Sequence, residues 1–340
     1  MIASPIRLRR LAVALLAALL ALGGCAVLPS SGAETSPETE AAFVAFARGL
    51  AERHDFEAER IERLLREDSR LQQDIIDAIS SPAEALPWYR YRPIFLQPAR
   101  IEEGVAFWRE HAGTLAAVER RFGVPPEIVV AIIGVETRYG RHRGRHRVLD
   151  ALRTLAFDYP PRADFFRREL EAYFLLAREE GFDPREPRGS YAGAMGIPQF
   201  ISSSYREYAV DFNDNGRRDL WSEPADAIGS VGNYLGRHGW QADAPIAVRG
   251  DVTGSDWQAL QRDGLRPQDT IAALRAAGVT PRRRLPDGDA AARLLVLEGQ
   301  RGDEHWVTLE NFYVITRYNH SPLYAMAVLQ LSREIREGYR

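Results

Sequence analysis

From Phe43 to Ile79 apolar side chains recur at helical spacing: Phe43, Phe46 and Leu50, then Ile61, Leu64, Leu65, Leu71, Ile75 and Ile76. Recurrence every three or four residues lines up one face of an α-helix, so the stretch reads as a packed helix pair. "SPAEALPWYRYRPIF", Ser81 to Phe95, interrupts the pattern with prolines and crowded aromatics. It is expected to be a loop whose Tyr and Trp either face a sugar or fill the core. Periodicity resumes from Arg100 to Phe122, and "GVPPEIVVAIIGVETRYG" follows. There Pro125 and Pro126 suit a first helical turn, Glu127 suits the positive helix end, and Gly140 supplies a stop. Between Ala242 and Thr308 the character changes. "DTIAALRAAGV" reads as a short helix, and "AARLLVLEG" with "EHWVTLENFYVIT" as strands around a turn. The fold class expected is mainly α, with a small α/β insertion.

The N-terminus has a different pattern. Arg7, Arg9 and Arg10 precede an apolar run from Leu11 to Leu22, too short to span a membrane, which reads as an export signal. "LGGC", ending at Cys25, resembles the lipobox of bacterial lipoproteins, which implies a lipidated cysteine and a membrane anchor at Cys25. Ala26 after it, rather than Asp, points to the periplasmic face of the outer membrane. The Pro, Ser, Thr, Gly and Glu that follow read as a flexible tether. The expected organisation is a signal at 1–24, a tether at 25–40, an N-terminal helical region at 41–100, a core at 101–241, the insertion at 242–308 and a return to the core at 309–340.

Composition narrows the chemistry. A chain of 340 residues, 45% hydrophobic and 27% charged, can bury a substantial core. A net charge of −3 gives no basic field for nucleic acid. All 44 basic residues are Arg, which removes P-loop, Schiff-base and Ser–Lys mechanisms. With Cys25 lipidated, no cysteine remains for disulfides or thiol chemistry. His142 and His146, four apart, are interrupted by Gly144 and lack an HExxH context, which argues against a zinc protease.

Glu136 is the outstanding residue. On a helix it shares the face of Val129, Ile132 and Ile133, where desolvation disfavours a charged carboxylate and raises its pKa. A general acid is kept protonated near neutral pH in this way. A buried ion pair with Arg138, Arg141 or Arg153 is the structural alternative. Downstream, Gly189, Gly193 and Gly196 allow close backbone approach, and Ser190, Tyr191 and Gln199 add polar and aromatic groups, as in a loop lining a cleft.

Four blocks, "GVPPEIVVAIIGVETRYG", "GSYAGAMGIPQF", "DAIGSVGNYLGRHGW" and "NFYVITRYNHSPLYAMAV", resemble the signature blocks of the membrane-bound lytic murein transglycosylase B family, in the family's order. The likeness runs from about Trp88 to Leu331 and weakens back to Phe43. It implies a lysozyme-like catalytic core, a place in the bacterial cell envelope, and peptidoglycan glycan strands as substrate, with other cell-wall enzymes as further partners. Glu136 matches the family's single catalytic acid/base, needing no cofactor. Ser190 matches a position that hydrogen-bonds the acid or the N-acetyl group, and Gln199 one that contacts the sugar. Tyr191, Met195 and Phe200 complete the loop's share of the cleft. Tyr234, Tyr318, Asn319 and Tyr324 match wall positions, and Tyr91 and Arg162 match outer subsites. For each tyrosine, core packing is the alternative.

"DFNDNGRRDLW" half matches an EF-hand loop. Asp211, Asn213 and Asn215 stand at positions one, three and five, Gly216 at six, Arg217 at seven and Asp219 at nine, with Ser222 where a bidentate Glu is expected. The resemblance implies a structural Ca2+ or Na+ site closed by Asp226; a metal-free Asp/Asn/Gly turn is the alternative. The reading of the whole is a lipid-anchored enzyme that cleaves glycan strands without water. A hydrolytic muramidase would need a second carboxylate, such as Asp158 or Asp164, and a wall-binding scaffold would need no acid at all.

Overall fold

The computed structural model describes residues 36–80, 86–285 and 288–340. The export signal, Cys25, the tether before Ser36 and the 81–85 part of the aromatic loop lie outside these. The chain opens with α1 (Pro37–His54), α2 (Ala58–Arg66) and α3 (Gln73–Ile79). The first starts inside the stretch read as tether, because Ser36 accepts a hydrogen bond from Thr39 N, Pro37 occupies the first turn, and Glu38 and Glu40 face the positive helix end. Next comes α4 (Trp88–Phe95), where a loop was expected. Its Trp88, Tyr91 and Phe95 form one buried stripe, and that packing outweighs the loss of a donor at Pro93.

The core contains α5 (Pro98–Glu110), α6 (Ala112–Phe122), α7 (Pro126–Thr137), α8 (Val148–Phe157), α9 (Ala163–Glu180), α10 (Ser202–Tyr208) and α11 (Pro224–Arg237). A two-stranded ribbon of β1 (His146–Arg147) and β2 (Arg188–Gly189) stands beside it. Every residue of α7 is buried, and α5, α6, α11 and the C-terminal helix pack around it. A helix that is apolar all round belongs in the centre.

The insertion is a five-stranded antiparallel sheet built from β3 (Ala247–Val252), β4 (Asp269–Thr270), β5 (Val279–Pro281), β6 (Ala291–Gly299) and β7 (Gly302–Thr308), in the order β4-β6-β7-β3-β5. With α12 (Ile271–Ala276) it encloses its own small core around Ile271, Leu274, Leu294 and Val307. The expected second strand ends at Thr308, and the "ENFYVIT" assigned to it begins α13 (Glu310–Tyr318). Asn311 is the reason: its Oδ1 accepts from Gln241 N at 2.8 Å and its Nδ2 donates to Gln241 O at 2.7 Å, fixing the return to the core. The chain ends in α14 (Pro322–Tyr339).

The exit from α7 departs from the expected glycine stop. Arg138 and Tyr139 both take positive φ, 49° and 61°, before Gly140 is reached. Such backbone is costly for residues with a Cβ and persists only where neighbours enforce it. Arg138 makes two bonds to Glu103, at 2.6 and 2.8 Å, and the Tyr139 hydroxyl donates to Arg100 O at 2.8 Å. The Tyr139 side chain lies against Gly134, where an added Cβ would come within 2.6 Å of its hydroxyl and 2.7 Å of its ring. Gly134→Ala is therefore expected to destabilise the fold by about 1–3 kcal/mol through overpacking, seen as a lower urea midpoint at an unchanged slope.

Candidate active site

The last turn of α7 brings Glu136 to a cleft of about 730 Å³, where its side chain is buried at 6% exposure. On the other side of the carboxyl stands Tyr324, in the first turn of α14. Its hydroxyl donates to Glu136 Oε1 at 2.7 Å. Burial holds the Tyr324 hydroxyl well above its ordinary pKa, and the charge of Glu136 adds to the effect, so the phenol keeps its proton. Tyr318 is shifted the same way for the same two reasons.

The glycine-rich loop forms the opposite lip. Thr137, next to the acid, donates to Ile197 O at 2.8 Å and accepts from Gly140 N at 2.9 Å, tying helix end to loop. Gly196 turns at φ 72° against Leu220 O, which an added Cβ would approach to 2.5 Å. Ser190 Oγ accepts from Ala192 N and Ala194 N at 3.2 and 3.1 Å. Those bonds use its acceptor sites and leave its proton as the group it can direct into the cleft. Gln199 Nε2 donates to Gly196 O and Arg143 O at 2.9 and 3.3 Å, which leaves its carbonyl oxygen to meet a ligand.

One wall is aromatic. Phe200, Tyr234 and Tyr318 line the cleft and contact one another, with centroids 4.9 to 5.8 Å apart. Tyr234 donates to Arg317 O and Tyr318 to Pro198 O, both at 2.6 Å, so these tyrosines offer ring faces rather than hydroxyls. Asn319 lines the cleft beside them. His238 stacks on Tyr234 at 4.1 Å, and His320 lines the same end; burial lowers the pKa of both.

Not every expected residue reaches the cleft. Tyr91 is fully buried between Trp88 and Phe95 in the N-terminal core. Met195 is buried within the loop, bridged to Gly189 and Phe200. Tyr191 is half-buried and off the lining; Arg162 packs on Phe165, which does line the cleft, at 4.4 Å. Asp158 pairs with Arg153 at 2.8 Å, and the exposed Asp164 with Arg167 at 3.1 Å. The other carboxylates lining the cleft, Glu179 and Glu207, are in ion pairs with Arg206 and Arg237. Thr137, His238 and His320 were passed over in the sequence, although each sits inside or beside a motif quoted for its neighbours.

The EF-hand-like loop is held by Asp226, the acid expected to close it. Asp226 is fully buried, and its two oxygens accept from Phe212 N and Asp219 N, each at 2.8 Å. Those bonds anchor the loop and use one acceptor site on each oxygen. Glu223 faces the loop as well: its carboxylate accepts from Asn215 Nδ2 at 2.8 and 2.9 Å and also from Asn213 Nδ2. Asp211 accepts from Asn215 N and Gly216 N, and Asn215 Oδ1 from Arg217 N. Among the described residues no group of three or more His, Cys, Asp or Glu is arranged for a metal. The oxygen set at this loop is two carboxylates and two amides, a hard donor set suited to calcium.

The transglycosylase SLT domain matches residues 38–333. Membrane-bound lytic murein transglycosylase B of Escherichia coli (strain K12) is 42% identical over 301 residues, 85% of this chain and 81% of that protein. The crystal structure of soluble lytic transglycosylase SltB1 from Pseudomonas aeruginosa superposes with a TM-score of 0.82 at 47% identity, covering 87% of this chain and 99% of that one. The E. coli lytic transglycosylase Slt35 in complex with calcium does so with a TM-score of 0.79 at 40% identity, covering 88% and 93%. The match over residues 38–333 and the identity to these enzymes place the chain in the transglycosylase SLT domain family, among the lytic transglycosylases.

Proposed function

We propose that Glu136 is the one acid and base with which this lytic transglycosylase cuts peptidoglycan. The observation that carries the reading is a buried carboxyl, oriented by Tyr324, in a cleft whose other carboxylates are in ion pairs. Ordinary glycosidases need two free carboxyl groups. With one, the substrate must supply the second function.

Protonated Glu136 gives its proton to the oxygen between N-acetylmuramic acid and N-acetylglucosamine as the bond from that oxygen to C1 breaks. The muramic C6 hydroxyl then bonds to C1, directly or after the N-acetyl oxygen has held that carbon. Ionised Glu136 takes the C6 hydroxyl proton, which restores the acid and leaves a 1,6-anhydromuramoyl end. No water enters. Tyr324 favours the carboxylate stage, since its hydroxyl donates to an oxygen that gains charge. The rings of Phe200, Tyr234 and Tyr318 supply a flat apolar surface for sugar faces, and the Ser190 proton and the Gln199 carbonyl suit the N-acetyl group.

The same reading places the enzyme in the cell envelope, tethered by lipid at Cys25 on the periplasmic face of the outer membrane. No helix among the described residues is long and apolar enough to cross a membrane. Calcium would be held at the EF-hand-like loop by Asp211, Asn213, Asn215, Arg217 and Asp226, with Glu223 beside them, away from the chemistry, and would supply rigidity. The complex of Slt35 with calcium supports this.

Three outcomes are expected. Mass spectrometry of sacculus digests should find 1,6-anhydromuramic ends with the wild type and none with Glu136→Gln; reducing muramic ends would make the enzyme a hydrolase, and binding without products would make it a scaffold. Tyr324→Phe should lower kcat about 10²-fold or more with little change in KM, since the lost bond acts at the charged stage. Calcium should raise the melting temperature of the wild type and leave that of Glu223→Gln unmoved.

A further inference from the structure

A second cavity, of about 480 Å³, opens where α4, α14 and the inserted sheet meet, and it shares no lining residue with the cleft over Glu136. Trp88, Tyr89 and Arg92 come from α4, Arg249 and Trp306 from the sheet, and Arg333 from α14. Arg249 and Arg333 both lie over the Trp306 ring, 5.1 and 5.9 Å from its centroid. One contact orients each guanidinium: Arg249 to Glu304 at 2.5 Å, Arg333 to Ala247 O at 2.7 Å, and Arg92 to Gln330 Oε1 at 2.7 Å. A guanidinium carries five donors, so each retains capacity for a ligand.

Two further observations point to an anion. The Trp88 indole N–H is buried at the cavity wall without a hydrogen-bond partner, a state that costs about 1–3 kcal/mol unless something accepts from it. Trp88 and Tyr89 also stand in the first turn of α4, ahead of the first helical bond, from Arg90 N to Pro87 O, where backbone N–H groups and the helix dipole favour negative charge. Tyr89, the one exposed large hydrophobic side chain among the described residues, adds a flat apolar rim. Of the carboxylates lining the cavity, Glu304 is committed to Arg249 and Glu334 stands alone against Arg92 and Arg333. The balance is positive.

We propose that this cavity is an accessory site for a carboxylate-bearing fragment of the cell wall, distinct from the strand being cut. Planar guanidiniums and an indole N–H suit the carboxylate, while Tyr89 and Trp306 suit an apolar body beside it. The source of the carboxylate is an acidic stem peptide or an unsubstituted muramic acid. This rests on the lytic reading above for its choice of wall fragments, and the site would hold the enzyme on the wall between cuts.

The test uses the full chain in detergent, carrying Glu136→Gln so that nothing turns over. Calorimetric titrations employ a sugar-free stem peptide with free carboxylates, the same peptide amidated, N-acetylmuramic acid, and an N-acetylglucosamine tetramer. Binding of the peptide or of N-acetylmuramic acid should weaken about tenfold with Arg92→Gln/Arg249→Gln, while the tetramer binds unchanged. Whichever acid shows that loss identifies the source, and amidation of the peptide should reproduce the loss. Tyr89→Ala, at an exposed position, should weaken the same ligand and guards against misfolding of the double variant. Absence of binding by both acids, or binding that neither variant weakens, would overturn the proposal. Wild-type digests report separately: missing anhydro ends would refute the lytic reading and leave the titration result standing.

Discussion

The hydrogen bond from Tyr324 to Glu136, 2.7 Å long, joins the last turn of α7 to the first turn of α14. Both side chains are buried, and each is expensive to bury alone. Together they set the positions of two helices that lie far apart in sequence and pack side by side. The remaining devices around the acid serve the same end. Thr137 fastens the glycine-rich loop to α7, and the left-handed turn at Arg138 and Tyr139 stops the helix one residue after Thr137, held by Glu103 and Arg100. A carboxyl that must give a proton and then recover one from a different oxygen has to stay in place between the two transfers, and this surrounding packing keeps it there.

The aromatic wall follows a similar logic. Tyr234 and Tyr318 satisfy their hydroxyls on backbone carbonyls of neighbouring elements, so their rings are fixed in the absence of any ligand. Little ordering then remains to be done when a sugar arrives. A cleft with one working carboxyl relies on holding the substrate in the shape from which its own hydroxyl can attack, and a stiff wall contributes to that more than another ionisable group would.

Much of this was legible in the sequence where the signal is local. The run from Pro125 to Thr137 declared a buried helix ending in a glutamate, and the blocks around Ser190, Tyr234 and Tyr318 supplied the lip and wall that surround it. Failures came where packing decides. Trp88, Tyr91 and Phe95 have helical spacing, yet the prolines hid it until burial of that stripe was seen to dominate. That same burial takes Tyr91 out of the cleft. The strands β3 and β5 could not be read because their partners lie far along the chain. Asp226 was assigned to the loop through the family resemblance, since the EF-hand spacing alone ends at Ser222. The three-dimensional turn adds what spacing does not carry: Asp226 accepts from the loop backbone through both oxygens, and Glu223 faces the same loop.

The neck of the insertion has a consequence of its own. Its two ends meet through Asn311 and Gln241, through the Leu309 N to Ile246 O bond, and through the pairing of Ala247 with Thr308. The sheet beyond that neck encloses a separate apolar centre. Entering and leaving at adjacent points, the segment leaves the threading of the helical core unchanged whatever its size, while Ala247, Leu297 and Trp306 pack against that core. Evolution can therefore lengthen, reshape or exchange this module without re-threading the helices that hold the acid, so binding surfaces can diversify on one side of the molecule while the reaction centre stays constant.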